Sequence, residues 1–425
     1  RYDQMGTHSY ENSSMQTGTN GTSYYFSVAS GDITNFFNEV DLNTPWDYHY
    51  ENLDSRTILD RLAAVKYFVV KAGEEEYLPY GYDTLATEVE KNDKLYRAYE
   101  CKNALPIGYT YDSYIPEEKY AKMSTVEKQQ ALLQGVILSN STVPETTSEF
   151  NDREVPYKLV TGSGCREKDG KLIVTKENAQ AKLVFDGLDE CETYLITEGV
   201  DYEALSPREL ISDKKWNKMT LYEQKKVQYE NSTWRYWKES QKAYIDVTGQ
   251  FLDKTISIFT DKYNAYSGRS DFLCNTGYSV KGKKSITLTF ENTGVYSYKN
   301  MKVVCQPIEN IESQTTKLRA ESLENVEIKN HELTGNISVS KDKVLVISLP
   351  YSKGFQAYVD GQKTELKQAN TMYMALELKK GAHEIRLTYC TPYLKAGLIL
   401  TCAGVLCYIC VVLAYKKKRG KKKHG

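Results

Sequence analysis

The sequence predicts a mainly β protein of the α+β class that ends in one membrane-spanning helix. After about residue 157, short segments rich in Val, Ile and Thr recur at spacings of roughly ten residues between turn residues, which is typical of a β-sandwich. Two capping-box sequences predict helices among the strands. Near the carboxyl end, residues 396–415 form a run of twenty side chains without a charge.

The first 156 residues are predicted to form a small mixed α/β domain. A helix over 53–64 is expected to begin with Asp54 or Ser55 as its N-cap, and a capping box at Ser124 opens another helix. The predicted elements of this domain are helices over 34–40, 53–64 and 125–137 and strands over 65–70 and 95–100.

Residues 157–391 are predicted to form a second, β-sandwich-like domain. Its main candidate strands lie at 171–175, 181–185, 193–197, 254–259, 285–290, 335–340, 344–349, 355–359, 374–378 and 383–389. Asp360 and Gly361 tolerate the positive φ of a type I′ hairpin turn between two of these strands. A charged, aromatic-rich insertion over about 206–244 interrupts the strands, and the second capping box, at Thr220, opens its helix.

The charge distribution separates the carboxyl end from the rest of the chain. Residues 1–390 contain 47 of the 55 Lys and Arg residues and all 56 acidic residues, which gives them a net charge of −9. A surface of that charge repels phosphate backbones, so nucleic acid is excluded as a partner. A mean hydropathy of −0.55 excludes a polytopic membrane protein over this length of chain.

A helix over residues 396–415 would span about 30 Å, the thickness of the hydrocarbon core of a bilayer. Soluble helices are rarely apolar on every face, so we interpret the segment as a transmembrane helix rather than as a buried helix. Aromatic and basic side chains mark the expected membrane interfaces. These interface residues are Tyr393, Tyr415, Lys416, Lys417, Lys418 and Arg419.

The positive-inside rule predicts the orientation of that helix. It places the basic tail, residues 416–425, in the cytoplasm against anionic lipid head groups, and residues 1–391 outside the cell. No signal peptide opens the sequence at Arg1, so an upstream segment is expected to carry the acidic domains across the membrane. We therefore expect the chain to be the C-terminal part of a longer membrane protein.

The sequence assigns no catalytic or metal-binding residue. His383 is expected at the edge of a strand, and the other four histidines are scattered. Acidic pairs such as Asp152 with Glu154 and Asp189 with Glu190 resemble glycosidase carboxylates, but such pairs arise by chance among 56 acidic residues. The nine cysteines lack the ligand spacing of a zinc site. Six of them lie outside the apolar segment, where disulfides are allowed, although we favour isolated buried thiols.

The aromatic insertion contains the candidate ligand-binding residues. Flat apolar rings suit the C–H face of a pyranose, so these rings could stack on a sugar. The alternatives are that they pack the insertion onto the sheets or lie at the membrane interface. The candidate sugar-binding residues are Trp216, Trp234, Tyr236 and Trp237.

A series of segments in a fixed order resembles the bacterial YfhO membrane proteins. The main segments are NGTSYYFS (20–27), SRTILDRLAAVKYFVV (55–70), LPIGY (105–109), EKQQALL (127–133), SLPYSKGF (348–355) and GAHEIRLTY (381–389). Pro392 and Gly397 follow at the head of the last span, so the series covers most of the chain. Phe355 departs from the family pattern, which usually has Trp at this position.

The resemblance implies an N-terminal bundle of membrane helices, an outside domain and one closing span. It further implies a polyprenyl-phosphate-dependent glycosyltransferase of the membrane-embedded C type, which uses a polyprenyl-phosphate sugar and decorates cell-envelope polymers such as lipoteichoic acid. The acidic catalytic residue of that class lies in the first outside loop, ahead of Arg1, so none is carried over. On this interpretation the present segment binds or orients the acceptor glycopolymer. The alternative is a membrane-anchored carbohydrate-binding or partner-docking ectodomain without catalysis.

Overall fold

Antiparallel sheets form most of the molecule, which confirms the mainly β fold class. The computed structural model describes residues 1–4, 12–42, 48–50, 52–234, 237, 240–249, 252–264 and 266–421, without the side chains of residues 13, 16 and 417–421. Within this description the strands form eight sheets, and most buried apolar side chains belong to three clusters.

The N-terminal segment combines a four-stranded sheet with short helices. The strands of this sheet, in order across it, are Tyr2–Gln4, Tyr67–Lys71, Lys94–Cys101 and Tyr82–Lys91, and two-stranded sheets pair Tyr24–Tyr25 with His49–Tyr50 and Tyr114–Pro116 with Val136–Leu138. The helices are Ser13–Thr17, Gly31–Glu39, Thr57–Leu62, Glu117–Tyr120 and Thr125–Ala131. Phe36, Phe68 and Tyr109 are among the fully buried side chains of its core.

The helix expected over 53–64 is shorter than its sequence predicts. Asp54 and Ser55 adopt positive φ angles of 61° and 52° and form a buried turn instead of a cap. The Asp54 carboxylate pairs with Arg56 at 3.2 Å and with Lys254 at 2.6 Å. Because Asp54 and Ser55 both have left-handed φ angles, they lie outside the helix, which begins at Thr57.

The helix opened by Ser124 also ends earlier than predicted. Its capping box with Glu127 is present as expected. The helix ends at Ala131, because Val136–Leu138 pairs in parallel with Tyr114–Pro116 and is therefore extended.

Three sheets built from residues 153–307 surround the second buried cluster. In order across each sheet, the strands are Arg153–Val155, Asn300–Pro307, Cys191–Glu198 and Phe272–Ser279; then Tyr157–Thr161, Ala179–Phe185, Ser285–Phe290, Lys242–Thr248 and Asp253–Phe259; then Cys165–Lys168, Lys171–Val174, Gly294–Ser297 and Asp201–Ala204. Every second side chain of Ala179–Phe185 is buried, because alternate residues of a strand face opposite sides of a sheet.

The aromatic-rich insertion adds surface to these sheets rather than core. Its helices are Asp213–Trp216 and Leu221–Thr233, and the capping box of Thr220 with Glu223 is present. In the longer helix, Val227 is the one buried side chain among the described residues.

The C-terminal segment contributes two further sheets and the helix Ile311–Arg319. Their strands are Glu324–Lys329, Glu332–Val339, Gly381–Tyr389, Phe355–Val359 and Gln362–Thr364 in one sheet, and Lys367–Ala369, Tyr373–Leu378, Lys343–Pro350 and Gly108–Tyr111 in the other. Asp360 and Gly361 have φ angles of 53° and 76°, as the predicted turn requires. His383 lies in a strand as expected, and its Nδ1 is 2.7 Å from an Asp360 carboxylate oxygen.

The N-terminal and C-terminal segments share a sheet. Gly108–Tyr111 pairs with Lys343–Pro350, and the N-terminal cluster includes Val344 and Tyr373. The domain boundary expected between residues 156 and 157, and the arrangement of the sheets as a sandwich, stay predictions.

The chain ends in the helix Leu394–Lys421, whose stretch Leu394–Lys416 is long and apolar enough to cross a membrane. No part of its apolar window is buried, and Tyr393 just before it is 87% exposed. Apolar side chains exposed in this way are stable in the hydrocarbon of a bilayer, where the helix satisfies its own backbone groups. Tyr415 and Lys416 lie at the far end, and the side chains of Lys417, Lys418 and Arg419 lie outside the description.

All nine cysteines are free thiols in the structure. Cys101, Cys165, Cys191, Cys274 and Cys305 are buried, whereas Cys390, just before the last helix, is exposed. Burial raises the pKa of the Cys274 thiol to about 12, so that it is inert at neutral pH.

Candidate functional site

Of the four predicted sugar-binding residues, Trp234 lines a groove in the described part of the chain. Its side chain is half-buried against the second buried cluster, which the three sheets of residues 153–307 surround. Trp216 lies instead beside the Arg208 guanidinium, which is 4.4 Å from the ring centre, and Trp237 is 43% exposed. Tyr236 lies outside the described residues. A single platform made of all four residues stays a prediction.

The Trp234 groove has a volume of about 780 Å³ and is lined by the strand Asp201–Ala204 and by residues 258–262, 266 and 268–270. Tyr266 is 52% exposed at this groove. Nearby, Phe259 stacks on Tyr263 with ring centres 4.9 Å apart. The groove therefore combines exposed aromatic surface with the ends of two strands.

Charged side chains surround the aromatic ones in the Trp234 groove. They are the carboxylates of Asp201, Glu203 and Asp261 and the cations of Lys262, Lys299 and Arg269. Burial lowers the pKa of Arg269, whose guanidinium lies 5.0 Å from the Phe272 ring centre. Groups of both charges can bond to hydroxyls while a ring covers an apolar sugar face. This arrangement can bind a polyhydroxylated ligand.

A second cavity, the Tyr80 cleft, lies where three distant parts of the chain meet. It has a volume of about 830 Å³ and is lined by residues 75, 76 and 78–83, by Lys102 and Asn103, by residues 278–281 and by Glu312. The rings of Tyr80 and Tyr278 have centres 5.2 Å apart. Sequence inspection missed this pair because Tyr80 lies in a turn of the N-terminal segment and Tyr278 in a distant strand.

A buried arginine lines the Tyr80 cleft. Arg61 is fully buried, and its Nη2 donates to Glu312 Oε1 at 2.8 Å. The Asn103 amide donates to the other oxygen of the same carboxylate. Gly81, with φ of +87°, lies directly against the guanidinium, and a Cβ atom there would collide with it. The local signal for this contact is Gly81 itself, in the sequence Pro-Tyr-Gly-Tyr.

Buried acidic groups lie beneath the cleft and join its walls. Glu192 accepts hydrogen bonds from the backbone N–H and the hydroxyl of Thr57, at 2.9 and 2.5 Å, and from the Tyr194 hydroxyl. Burial and then the neighbouring Asp3 carboxylate raise the pKa of Asp60 well above its usual range. These groups connect the helix Thr57–Leu62 to a central strand, so we assign them a structural role.

The acidic pairs noted in the sequence have structural partners. The Gln130 amide donates to Asp152 at 2.6 Å, and the Gly282 N–H donates to Asp189 at 2.7 Å. The remaining members, Glu154 and Glu190, contact Lys302 at 3.8 Å and the Tyr278 hydroxyl respectively. Among the residues that the structure describes, no group of three or more His, Cys, Asp and Glu side chains is arranged to hold a metal ion.

Comparison with known proteins adds a family match over most of the chain. The profile of a family described as "Bacterial membrane protein YfhO" matches residues 1–401. The "Uncharacterized protein YfhO" of Bacillus subtilis (strain 168) is 23% identical over 407 residues, which cover 95% of this chain and 42% of that protein. The chain thus spans less than half the length of this relative.

The comparison with solved structures gives a much weaker likeness. A cryo-EM structure of a mutant arabinofuranosyltransferase AftD from Mycobacteria shares 13% sequence identity, covering 35% of this chain and 12% of that chain, with a TM-score of 0.15. A TM-score this low carries no argument about fold or activity.

Proposed function

The chain belongs to the YfhO family of bacterial membrane proteins, and from that premise we propose that it is the extracytoplasmic C-terminal part of a membrane-embedded glycosyltransferase. In this proposal a polyprenyl-phosphate sugar is the donor, and a cell-envelope polymer such as lipoteichoic acid is the acceptor. The catalytic residues belong to a bundle of membrane helices in the upstream part of the parent protein. The chain spans 42% of its curated relative, which leaves room for such a bundle.

The role of this part of the protein is to bind and orient the acceptor polymer in the Trp234 groove. The observation that carries this role is the combination of half-buried Trp234 with exposed Tyr266 and with charged groups of both signs in one open groove. Stacking on the rings would hold a sugar face, and the charged groups would fix its orientation.

The proposed topology places residues 1–391 outside the cell and the basic tail in the cytoplasm. Cys390 offers a test, because it is exposed immediately before the last helix whereas the other five cysteines ahead of that helix are buried. A membrane-impermeant maleimide should label the parent protein in intact cells, and Cys390→Ser should remove the label. Labelling that requires permeabilised cells would contradict the topology.

Acceptor binding can be measured with the chain in nanodiscs and lipoteichoic acid released from its lipid anchor as the probe. We expect Trp234→Ala to weaken binding about tenfold, equivalent to about 1.4 kcal/mol. Tyr229→Ala is the matched control, since Tyr229 lies on the same insertion and is 71% exposed. Equal affinities of the two variants would contradict the proposed groove.

Sugar transfer must be measured separately in the full-length parent protein. We expect deletion of its gene to remove a sugar from an envelope polymer, and Trp234→Ala to reduce the transfer rate with a raised apparent KM for the acceptor. Unchanged envelope glycosylation in the deletion strain would contradict the enzyme and favour the non-catalytic carbohydrate-binding alternative.

A further inference from the structure

A third cavity, the membrane-proximal groove, lies beside the start of the apolar helix. It has a volume of about 920 Å³ and is lined by residues 328–333, 349–353 and 355 and by Tyr389 and Pro392. Pro392 is two residues before Leu394, where the apolar segment begins. Two residues extend at most about 7 Å, so one wall of the groove lies within that distance of the start of the span.

Close backbone contacts hold one wall of this groove against the residues that precede the helix. The Cys390 N–H donates to the Gly354 carbonyl at 3.0 Å. A Cβ atom at Gly354 would lie 2.6 Å from the Cys390 carbonyl oxygen and 3.1 Å from Pro392 Cδ. The turn that forms one wall of the groove therefore lies directly against the segment that leads into the membrane.

The groove lining is both apolar and cationic. The Phe355 and Tyr389 rings have centres 4.9 Å apart, and Ile328 is 55% exposed. Lys329 and Lys353 supply positive charge.

Two carboxylates also line the groove. They belong to Asp32 and Glu332, and Arg386 Nε lies 2.5 Å from Glu332 Oε1. Lys329 lies 3.3 Å from Glu327, which leaves Lys353 as the cation that we use in the test below.

We propose that the membrane-proximal groove binds the phosphate head group of an anionic membrane lipid. The phosphate would lie at Lys353, and the glycerol and first acyl carbons would contact Ile328 and Tyr389. The position of Pro392 favours a lipid over a soluble anion, because this wall reaches the head-group layer on whichever side of the membrane the domain lies. The inference does not depend on sugar transfer or on the Trp234 groove.

The test compares the full chain in nanodiscs of phosphatidylcholine with and without phosphatidylglycerol, read by hydrogen exchange. We expect phosphatidylglycerol to slow exchange in residues 328–333 and 349–355. We expect Lys353→Ala to raise the phosphatidylglycerol fraction needed for half-maximal protection about fivefold, and Lys353→Arg to restore it. Lys363→Ala is the matched control, because Lys363 is exposed on another strand of the same sheet, away from the groove.

Three results would overturn the proposal. One is exchange in these segments that does not respond to phosphatidylglycerol. Another is equal protection by free glycerol phosphate in phosphatidylcholine discs, which would assign the groove to a soluble anion. The third is an equal shift in the Lys363→Ala control, which would indicate a diffuse charge effect. Acceptor binding by the Trp234 groove is measured in a separate titration, so failure of one proposal is distinguishable from failure of the other.

Discussion

The Trp234 groove and the Tyr80 cleft have similar volumes, about 780 and 830 Å³, but they are built in different ways. The groove is formed within the sheets of residues 153–307 and their insertion, and its aromatic residues lie within residues 202–266. The cleft joins three separate segments and has fully buried Arg61 in its wall. The comparison teaches that an aromatic-rich segment can indicate one residue of a nearby groove, here Trp234, whereas a cavity between distant segments depends on contacts that no local pattern shows.

The strongest test of this difference replaces one glycine in each cavity. Gly81 and Gly268 both have positive φ, at +87° and +74°. A Cβ atom at Gly81 collides with Arg61, whereas at Gly268 the nearest atom is the Tyr266 hydroxyl at 3.9 Å. We expect Gly81→Ala to lower the free energy of unfolding by about 3 kcal/mol and Gly268→Ala by about 1 kcal/mol. Equal losses of unfolding free energy for the two variants, measured by chemical denaturation, would show that the cleft accommodates the added methyl group as easily as the groove does.

The pH dependence of stability should also differ between the two regions. Burial and Asp3 raise the pKa of Asp60 in the folded protein, so the folded state keeps a proton that the unfolded chain releases above about pH 4. Stability therefore falls as the pH rises from that value through the folded-state pKa. Asp60→Asn cannot ionise, so we expect it to unfold at a higher urea concentration than the unmodified protein at pH 8, with a smaller difference at pH 4.

Glu223 on the insertion should give stability the opposite dependence on pH. Hydrogen bonds from the Thr220 backbone and hydroxyl lower its pKa, so its contribution is present at neutral pH and is lost as the pH falls through the folded-state pKa. Glu223→Gln should lower the free energy of unfolding at pH 7 and leave it unchanged at low pH. The same pH profile for the Asp60 and Glu223 variants would contradict these assignments.

Ligand binding distinguishes the cavities directly. In titrations with released lipoteichoic acid, we expect Trp234→Ala to weaken binding about tenfold and Tyr80→Ala to change it by less than about twofold. Circular dichroism checks that both variants fold. A larger loss of affinity in Tyr80→Ala than in Trp234→Ala would then assign the acceptor site to the cleft.

Removal of the two helix caps should give the smallest effects. Ser124→Ala and Thr220→Ala each remove a capping hydroxyl, at a cost of about 1 kcal/mol. The helix after Ser124 has four buried side chains, so we expect a lower Tm. The helix after Thr220 is mostly exposed, and its loss should appear as faster hydrogen exchange within Leu221–Thr233 at an unchanged Tm.

Local patterns in the sequence predict the parts of the fold that local physics determines. The capping boxes at Ser124 and Thr220, the turn at Asp360 and the apolar helix all follow from residue type and spacing. The predicted start of the helix that begins at Thr57 was wrong. Asp54 and Ser55 adopt left-handed φ angles, and the Asp54 carboxylate pairs with Lys254 from a distant strand, which no local pattern predicts. Trp234 was identified from the composition of the insertion, whereas the charged groups around it come from one strand and several loops that only the folded chain brings together.

The pairing of Gly108–Tyr111 with Lys343–Pro350 has a consequence for the order of folding. Residues 112–342 separate the two strands, so Gly108–Tyr111 has no partner in this sheet until those residues have been synthesised. Contacts of this separation slow folding, and an exposed edge invites association with other chains. We therefore expect this pairing to form late in folding, with the edge of Gly108–Tyr111 open to association with other chains until then.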